Sequence, residues 1–293
     1  MTEPEKEWIL SDILNVTVDF LAKKNPDSSP RLDAELLLAR VLGLPRVSLY
    51  INFEKPLTPK QVDAYRELVR RRGRHEPAAY ILGEKEFYGI SFKTDKRALI
   101  PRPETEHLVD EALAILKTLP DGAPAVCDVG CGSGAVALSL AAHFPNAVIE
   151  ASDASLEALA LAEENARLLK LQDKVSFHEG DLLDAPFESP AFDLVCANLP
   201  YIPSGDLEKL PPDVFAFEPL SALDGGPDGM RLTSRLLQQA GEKLRPKGAI
   251  LLEIDPSQYA PLRDVAEKAG LEPLEAVKDF SKKDRVLVAV KKA

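Results

Sequence analysis

Cysteine, histidine and tryptophan are scarce in this 293-residue sequence, which holds three cysteines, four histidines and one tryptophan. Three cysteines cannot all pair with one another, and Cys127, Cys131 and Cys196 each lie in or beside an apolar, strand-like run. We interpret them as small buried residues of a protein in a reducing cytoplasm. The histidines are too scattered to supply the closely spaced ligands of a zinc site, so we expect no bound metal.

Long apolar runs and excess positive charge are missing as well. No apolar run approaches the ~20 residues that a transmembrane helix requires. The first residues, MTEPEKEW, are too acidic and polar to resemble a signal peptide. The net charge of -11 argues against broad, charge-driven binding to DNA or RNA, which requires a basic surface. We therefore expect a cytoplasmic protein, monomeric by default, that binds neither a membrane nor, stably, a nucleic acid.

The chain is long enough for two domains, and 45% of its residues are apolar, a share typical of globular proteins. Helical periodicity predicts a small all-helical domain over residues 1–83, with helix-start signals at Ser29-Pro30 and Thr58-Pro59. The alternating pattern around Gly89 predicts a β-hairpin linker over residues 84–100.

Residues 101–293 alternate strand-like and helix-like segments. Strands are predicted at 125–129, 148–152, 175–179, 192–197 and 249–254, and helices at 135–143, 156–169 and 231–244. Such alternation indicates an α/β domain whose sheet is mostly parallel and covered on both faces. The last two apolar segments, 271–277 and 285–290, are separated only by the polar turn 279–284. They predict a C-terminal hairpin that brings an antiparallel strand into the sheet.

A glycine-rich loop, CDVGCGSGAVALSLA at residues 127–141, joins the first predicted strand to its helix. Glycines allow sharp turns and close approach of the backbone to a ligand, and the following helix N-terminus favours a negative group. Asp153 and Asp181 close the next two strands, and a carboxylate at the position of Asp153 suits a ribose. The loop also fits a loose dinucleotide fingerprint. Asp128 favours instead a ligand with an ammonium or sulfonium group, because a carboxylate there would repel a pyrophosphate.

The segment VCANLPYIP, residues 195–203, ends a buried strand with one polar amide, Asn198. Pro200 biases Leu199 toward an extended backbone, which would turn the Leu199 carbonyl inward beside the side-chain carbonyl of Asn198. Two such acceptors would hold a substrate NH2 group through both hydrogens, and Tyr201 would stack on the planar group that carries it. They would also stabilise the positive charge that grows as a delocalised nitrogen attacks a methyl carbon.

At these residues the chain resembles the bacterial release-factor glutamine methyltransferase family, which is S-adenosylmethionine-dependent. The resemblance covers nearly the whole chain. It is carried by YILGEKEFYG (80–89), LIPRPETEHLVD (99–110), DVGCGSG (128–134), NLPYIP (198–203), FEPLSALDGGPDG (217–229) and LEIDPSQ (252–258). The fold it implies is a Rossmann-like class I methyltransferase sheet over residues 101–293, after an all-helical domain that recognises the substrate.

The resemblance also implies a site and a reaction. The cofactor would contact Asp128, Gly130, Cys131, Gly132, Ser133, Gly134, Asp153, Asp181, Leu182 and Asn198. Asn198, Leu199, Pro200 and Tyr201 would bind the substrate and carry the catalysis. The substrate implied is the glutamine of the Gly-Gly-Gln motif in class I peptide-chain release factors, and the product is N5-methylglutamine.

Two positions depart from the family pattern. The family usually has Asn-Pro-Pro-Tyr where Leu199 replaces the first proline, a change that keeps the backbone carbonyl and loses only stiffness. It usually has Glu-Ile-Gly where Asp255 replaces the glycine. Glu253, at the end of the fifth strand, is a candidate for supporting the floor of the site.

Alternatives remain open on the sequence alone. An adenine-N6 methyltransferase acting on DNA or RNA would also need a grip on a planar NH2 group. A nicotinamide-dependent oxidoreductase fits the glycine loop, and a non-catalytic binding protein would explain Leu199. The basic segment RRRGRHEP, residues 70–77, is either a solvated helix end or a contact surface for a release factor or its RNA surroundings.

Overall fold

The computed structural model describes residues 7–26, 28–120, 122–279 and 281–293. Residues 1–6 of the acidic amino-terminal segment, and Phe280 in the predicted 279–284 turn, lie outside the described residues. The chain divides into two compact units: a small unit with the residues up to Gly83 and the segment Pro211–Phe217, and a large unit with Glu84–Leu210 and Glu218–Ala293. The domain limits predicted from the sequence stay a prediction.

The small unit is helical. Its elements are α1 (Leu10–Lys24), α2 (Pro30–Leu42), α3 (Pro59–Arg72), α4 (Ala78–Leu82) and, from later in the chain, α8 (Pro212–Phe215). The predicted start of α3 is confirmed, because Thr58 and Gln61 form a reciprocal capping box. The helices bury a core that includes Leu14, Leu38 and Tyr65, and the Tyr65 hydroxyl donates to the Ala34 carbonyl at 3.0 Å.

Arg72 ends α3 inside this unit, and only 3% of its side chain is exposed. Its guanidinium pairs with Asp33 at 2.7 Å and with Asp213 at 3.1 Å, while its carbonyl accepts from the Asn25 amide at 2.7 Å. Neither surface interpretation of the basic segment therefore holds for Arg72. The buried guanidinium and its two carboxylates therefore stabilise the small unit. Removing one of the three groups would leave a charged partner buried without its counter-ion.

The large unit opens with a hairpin of β1 (Glu84–Phe87) and β2 (Ile90–Lys93). Tyr88 and Gly89 form its two-residue turn with φ of 51° and 72°, as a type I′ turn requires. The remaining elements are α5 (Glu106–Leu116), β3 (Ala125–Val129), α6 (Ala135–His143), β4 (Val148–Asp153), α7 (Leu156–Leu168), β5 (Val175–Glu179), β6 (Phe192–Ala197), α9 (Arg231–Lys243), β7 (Leu244–Glu253), α10 (Tyr259–Lys268), β8 (Leu271–Pro273), β9 (Val277–Lys278) and β10 (Asp284–Lys291).

The central sheet has eight strands in the order β5-β4-β3-β6-β7-β10-β8, with β9 paired to β10. Strands β3 to β7 pair in parallel, whereas β10 is antiparallel to β7, β8 and β9. The mostly parallel sheet and the antiparallel C-terminal strand are thus confirmed. The predicted strand at 271–277 is divided into β8 and β9, and the last residue of β8 is Pro273, which has no N–H to continue a ladder.

The order of the strands reverses between β3 and β6, since β3 connects toward β4 on one side and β6 lies on its other side. In open α/β sheets this reversal opens a crevice at the carboxyl ends of the strands, where ligands bind. Val129 and Ala197 are paired in register at these ends. The glycine loop after β3 and Asn198 after β6 therefore leave the sheet side by side.

The structure also bears on membranes and metals. Within the described ranges, every helix is too short or too polar to cross a membrane. The same residues contain no cluster of three or more metal-ligating side chains. The three cysteines are free and buried.

Candidate active site

The glycine loop turns tightly between β3 and α6. Gly130, Gly132 and Gly134 have φ of 71°, 54° and 80°, a backbone region that other residues rarely adopt. The N–H groups of Gly130 and Cys131 donate to the Ser152 carbonyl at 2.8 and 2.9 Å, which ties the loop to β4. A Cβ at Gly130 would lie 2.7 Å from Cδ2 of Leu199, so the loop approaches the strand end after β6 closely.

Two carboxylates, Asp128 and Asp153, accept hydrogen bonds from the start of α6 and from the glycine loop. Asp128 accepts from the Ala137 N–H at 2.9 Å, at the start of α6, and burial raises the pKa of Asp128 to about 7. Asp153 accepts from the N–H groups of Gly132 and Ser155, each at 2.9 Å. Burial raises the pKa of Asp153, and these N–H groups oppose the rise. Each carboxylate keeps free lone pairs for a ligand, because a carboxylate accepts about four hydrogen bonds.

Asp181 and Leu182 follow β5. Leu182 has φ of 57°, and its carbonyl accepts from the Ser152 hydroxyl at 3.1 Å. Its side chain is buried, and the residue lines the crevice. Asp181 is mostly exposed and pairs with Arg235 on α9 at 2.7 Å. No local pattern in the sequence marks Arg235 as the partner of Asp181, since 54 residues separate the two.

Asn198 directly follows β6 and lines the crevice. Its Nδ2 donates to Oγ1 of Thr105 at 3.0 Å, which leaves the side-chain carbonyl oxygen for another partner. Leu199, which departs from the family pattern, is only 4% exposed. Its side chain packs against Gly130 of the glycine loop.

The segment after Leu199 is held by hydrogen bonds from the side chain of Gln258 to backbone carbonyls. Gln258 donates from one amide nitrogen to the Tyr201 carbonyl at 2.9 Å and to the Gly229 carbonyl at 3.1 Å. Gln258 is placed by a capping box with Asp255, the second departure from the family pattern. Burial raises the pKa of the Tyr201 hydroxyl to about 12, so it stays protonated.

A cavity of about 430 Å³, a size typical of small-molecule sites, lies between the glycine loop, the carboxylates Asp128 and Asp153, and the Asn198 segment. Of the predicted site residues, Gly134 and Tyr201 do not line it in the described part of the chain, whereas these do: Asp128, Gly130, Cys131, Gly132, Ser133, Asp153, Asp181, Leu182, Asn198, Leu199 and Pro200. The structure thus brings the loop, the carboxylates and the Asn198 segment together. The role of each residue stays a prediction.

Two further candidates, Glu218 and Thr105, lie in segments that carry the family resemblance, but no local pattern marks either residue as part of the site. Glu218 is buried, accepts from the Ile100 N–H at 3.0 Å and pairs with Arg102 at 2.6 Å, so it fixes the wall at residues 99–102. Thr105 accepts from the Asn198 amide and lies in the stretch PRPETE (101–106), which also contains Arg102. The proline and glutamates of this stretch suit a helix start. A helix-start pattern does not single out the threonine as a partner of Asn198.

The sheet order, the glycine loop and the crevice beside it define the fold of class I methyltransferases. A crystal structure of a methyltransferase from Pyrococcus furiosus has this fold, with a TM-score of 0.52 and 17% identity, over 71% of this chain and 92% of that one. Residues 126–216 match the family model of a methyltransferase domain, and residues 12–83 match that of the PrmC N-terminal domain.

Relatives that match over nearly their whole length show which methyltransferase family the chain belongs to. The chain is 41% identical to the release factor glutamine methyltransferase of Rhodopirellula baltica, over 98% of this chain and 97% of that protein. It is 40% identical to the protein of the same name from Geobacter sulfurreducens, over 98% of each chain. The chain belongs to the release factor glutamine methyltransferase family.

Proposed function

We propose that this enzyme transfers a methyl group from S-adenosylmethionine to the side-chain amide nitrogen (N5) of the glutamine in the Gly-Gly-Gln motif of class I peptide-chain release factors. The observation that carries the proposal is the hydrogen bond from Asn198 Nδ2 to Thr105. It commits the NH2 group of Asn198 to the protein and leaves its carbonyl oxygen for a substrate that offers hydrogens.

The chain's residues fit the methyl donor, which supplies an electrophilic methyl group on a sulfonium. The glycine loop lets the backbone come close, and Asp153 has lone pairs left for two ribose hydroxyls. Asp128 is buried with a raised pKa, so a nearby cationic group would favour its ionised form. The negative charges of Asp128 and Asp153 would repel a pyrophosphate, which disfavours a nicotinamide dinucleotide as the cofactor.

Asn198 and the Leu199 carbonyl would together accept both hydrogens of the substrate amide. An amide nitrogen is a weak nucleophile because its lone pair is delocalised into the carbonyl group. Two acceptors aimed at its hydrogens favour a pyramidal nitrogen and stabilise the positive charge that develops on it. Holding that nitrogen in line with the methyl group supplies a further gain through proximity.

The names of the relatives favour a release factor over a nucleic acid as substrate. The test is to incubate the purified protein with a release factor and an isotopically labelled methyl donor, then to locate the label by peptide mass spectrometry. We expect the label on the glutamine of the Gly-Gly-Gln motif. A release factor with that glutamine replaced by glutamate is the control. Label on adenine in added DNA or RNA, with none on the release factor, would overturn the proposal.

A further inference from the structure

A buried amide on α7, Asn165, is hydrogen-bonded to two separate segments of the chain. The residue is fully buried, with 0% exposure. Its Oδ1 accepts from the Lys93 N–H at 2.7 Å. Its Nδ2 donates to the Lys93 carbonyl at 3.2 Å and to the Ser133 carbonyl at 2.9 Å. Both hydrogens of the side-chain NH2 group are therefore used, and the side-chain carbonyl has a donor.

The two segments that Asn165 joins both lead to the cavity of the candidate site. Ser133 belongs to the glycine loop and lines the cavity. Lys93 is the last residue of β2 and begins residues 93–100, which we call the strap. Residues 96–100 of the strap line the same cavity. Asn165 does not itself line the cavity in the described part of the chain, so any effect on a ligand must pass through these neighbours.

Contacts with α7 hold the strap, because after Lys93 it forms turns rather than a helix or a strand. Glu164, the neighbour of Asn165, pairs with Lys93 at 2.6 Å and with Arg97 at 2.9 Å. These ion pairs are partly exposed, so water screens them and they contribute little. The hydrogen bonds of Asn165 matter more, because Ser133 is only 3% exposed and its carbonyl would lose its donor inside the protein.

We propose that Asn165 is a positioning residue that holds the glycine loop and the strap at the spacing that the methyl donor requires. The inference rests on the proposed function for the identity of that ligand. Without the amide, the two segments are no longer joined, and ligand binding must supply the free energy that orders them. The affinity for the methyl donor should therefore fall. The chemical step should change little, because a bound donor restores the ordered arrangement.

Two variants remove the proposed connection in different ways. Asn165→Ala removes all three hydrogen bonds. Asn165→Asp keeps the shape and the acceptor for the Lys93 N–H, and loses both donated bonds. We expect each variant to raise the Kd for S-adenosylhomocysteine and the KM for S-adenosylmethionine by about 10- to 100-fold, because a buried acceptor is left without its donor. The kcat at saturating methyl donor and the KM for the release factor should stay close to those of the parent.

Asn25→Ala is the matched control for a general loss of stability. Asn25 is 4% exposed, lies in the small unit, and donates from Nδ2 to the Arg72 carbonyl at 2.7 Å. This variant also removes a buried bond from an amide to a backbone carbonyl, and it should lower the urea midpoint as Asn165→Ala does. Its Kd for S-adenosylhomocysteine should equal that of the parent, because Asn25 contacts neither the glycine loop nor the strap.

A second readout needs neither cofactor nor methyl acceptor. Hydrogen exchange followed by mass spectrometry reports how often backbone N–H groups open in the free protein. In the glycine loop, the Gly132 N–H donates to Asp153 at 2.9 Å and the Gly134 N–H donates to the Cys131 carbonyl at 2.8 Å. Peptides that cover this loop and the strap should exchange faster in both Asn165 variants than in the parent, and at the parent rate in Asn25→Ala.

The outcomes separate the positioning role from the proposed function. A parent Kd and parent exchange rates in Asn165→Asp would overturn the positioning role, as would a Kd raised equally by Asn25→Ala. If Asn165→Ala does not fold, Asn165→Asp carries both readouts. A parent that binds S-adenosylhomocysteine and leaves the glutamine unmethylated would refute the proposed substrate, while a raised Kd in the variants would still support the positioning role. A parent that does not bind this ligand would refute both.

Discussion

Replacing Gly130 by alanine tests the contact between the glycine loop and Leu199. The new Cβ would lie 2.7 Å from Leu199 Cδ2, closer than real Cβ contacts, at φ of 71°. The left-handed backbone costs ~1–2 kcal/mol for a residue with a Cβ. Overpacking of a filled site costs ~1–3 kcal/mol. We therefore expect Gly130→Ala to lower the free energy of unfolding by about 2–5 kcal/mol.

Two further variants separate the causes. Gly89 has φ of 72°, and a Cβ added there would meet nothing within 4 Å, so Gly89→Ala reports the backbone cost alone. Leu199→Ala removes the group that clashes, so the double variant with Gly130→Ala should recover the steric part, seen as coupling of ~1–3 kcal/mol in a double-mutant cycle.

Urea unfolding of the parent and of the four variants measures their free energies of unfolding. Calorimetry with S-adenosylhomocysteine measures whether the altered glycine loop still binds the cofactor product. If Gly130→Ala is no more destabilising than Gly89→Ala, the close approach of Leu199 is wrong. The close approach would also be refuted if the destabilisations caused by Gly130→Ala and Leu199→Ala added within ~0.3–0.5 kcal/mol in the double variant.

Three other substitutions probe the site and its support. Asn198→Ala removes one acceptor, so kcat should fall by ~10²–10³ with the Kd for S-adenosylhomocysteine nearly unchanged, and unaltered turnover would contradict its role. Asp153→Ala should weaken the binding of S-adenosylhomocysteine by ~10- to 100-fold in calorimetry, through lost ribose hydrogen bonds; an unchanged Kd would exclude that contact. Arg72→Met leaves Asp33 and Asp213 unpaired and should lower the free energy of unfolding of the small unit by ~3–5 kcal/mol in urea. Arg70→Met, at an exposed arginine, should change that free energy by under ~0.5 kcal/mol. Equal effects of the two variants would refute the stabilising role of the buried Arg72.

The predictable part of this molecule is local or periodic. Apolar runs and helix-start signals lie within a few residues of one another, so the sequence was enough to predict the five parallel strands and the helix that begins after Thr58. The meeting of the glycine loop and Asn198 is also predictable, because both follow strands of a parallel sheet. That inference needs only the rule that carboxyl ends of parallel strands share an edge.

The unpredicted part depends on contacts between distant residues. Thr105 and Asn198 are 93 residues apart, and nothing in PRPETE marks the threonine as a partner of an amide. Arg72 stands in a run of arginines whose local pattern indicates a solvated helix end, yet two distant carboxylates bury it.

The two departures from the family pattern also become intelligible only in three dimensions. The side chain of Leu199 fills the space over Gly130. Asp255 caps the turn that places Gln258 against the Tyr201 carbonyl. Both replacements therefore support the segment that the proposed function requires, by contacts that no motif encodes.

The most direct measurement is a crystal structure of this enzyme with S-adenosylhomocysteine and a peptide that contains Gly-Gly-Gln. Asn198 Oδ1 and the Leu199 carbonyl oxygen should each lie at a hydrogen-bonding distance of ~3 Å from the glutamine side-chain nitrogen. A glutamine bound elsewhere, or an Asn198 amide that turns its nitrogen toward the peptide, would contradict the account.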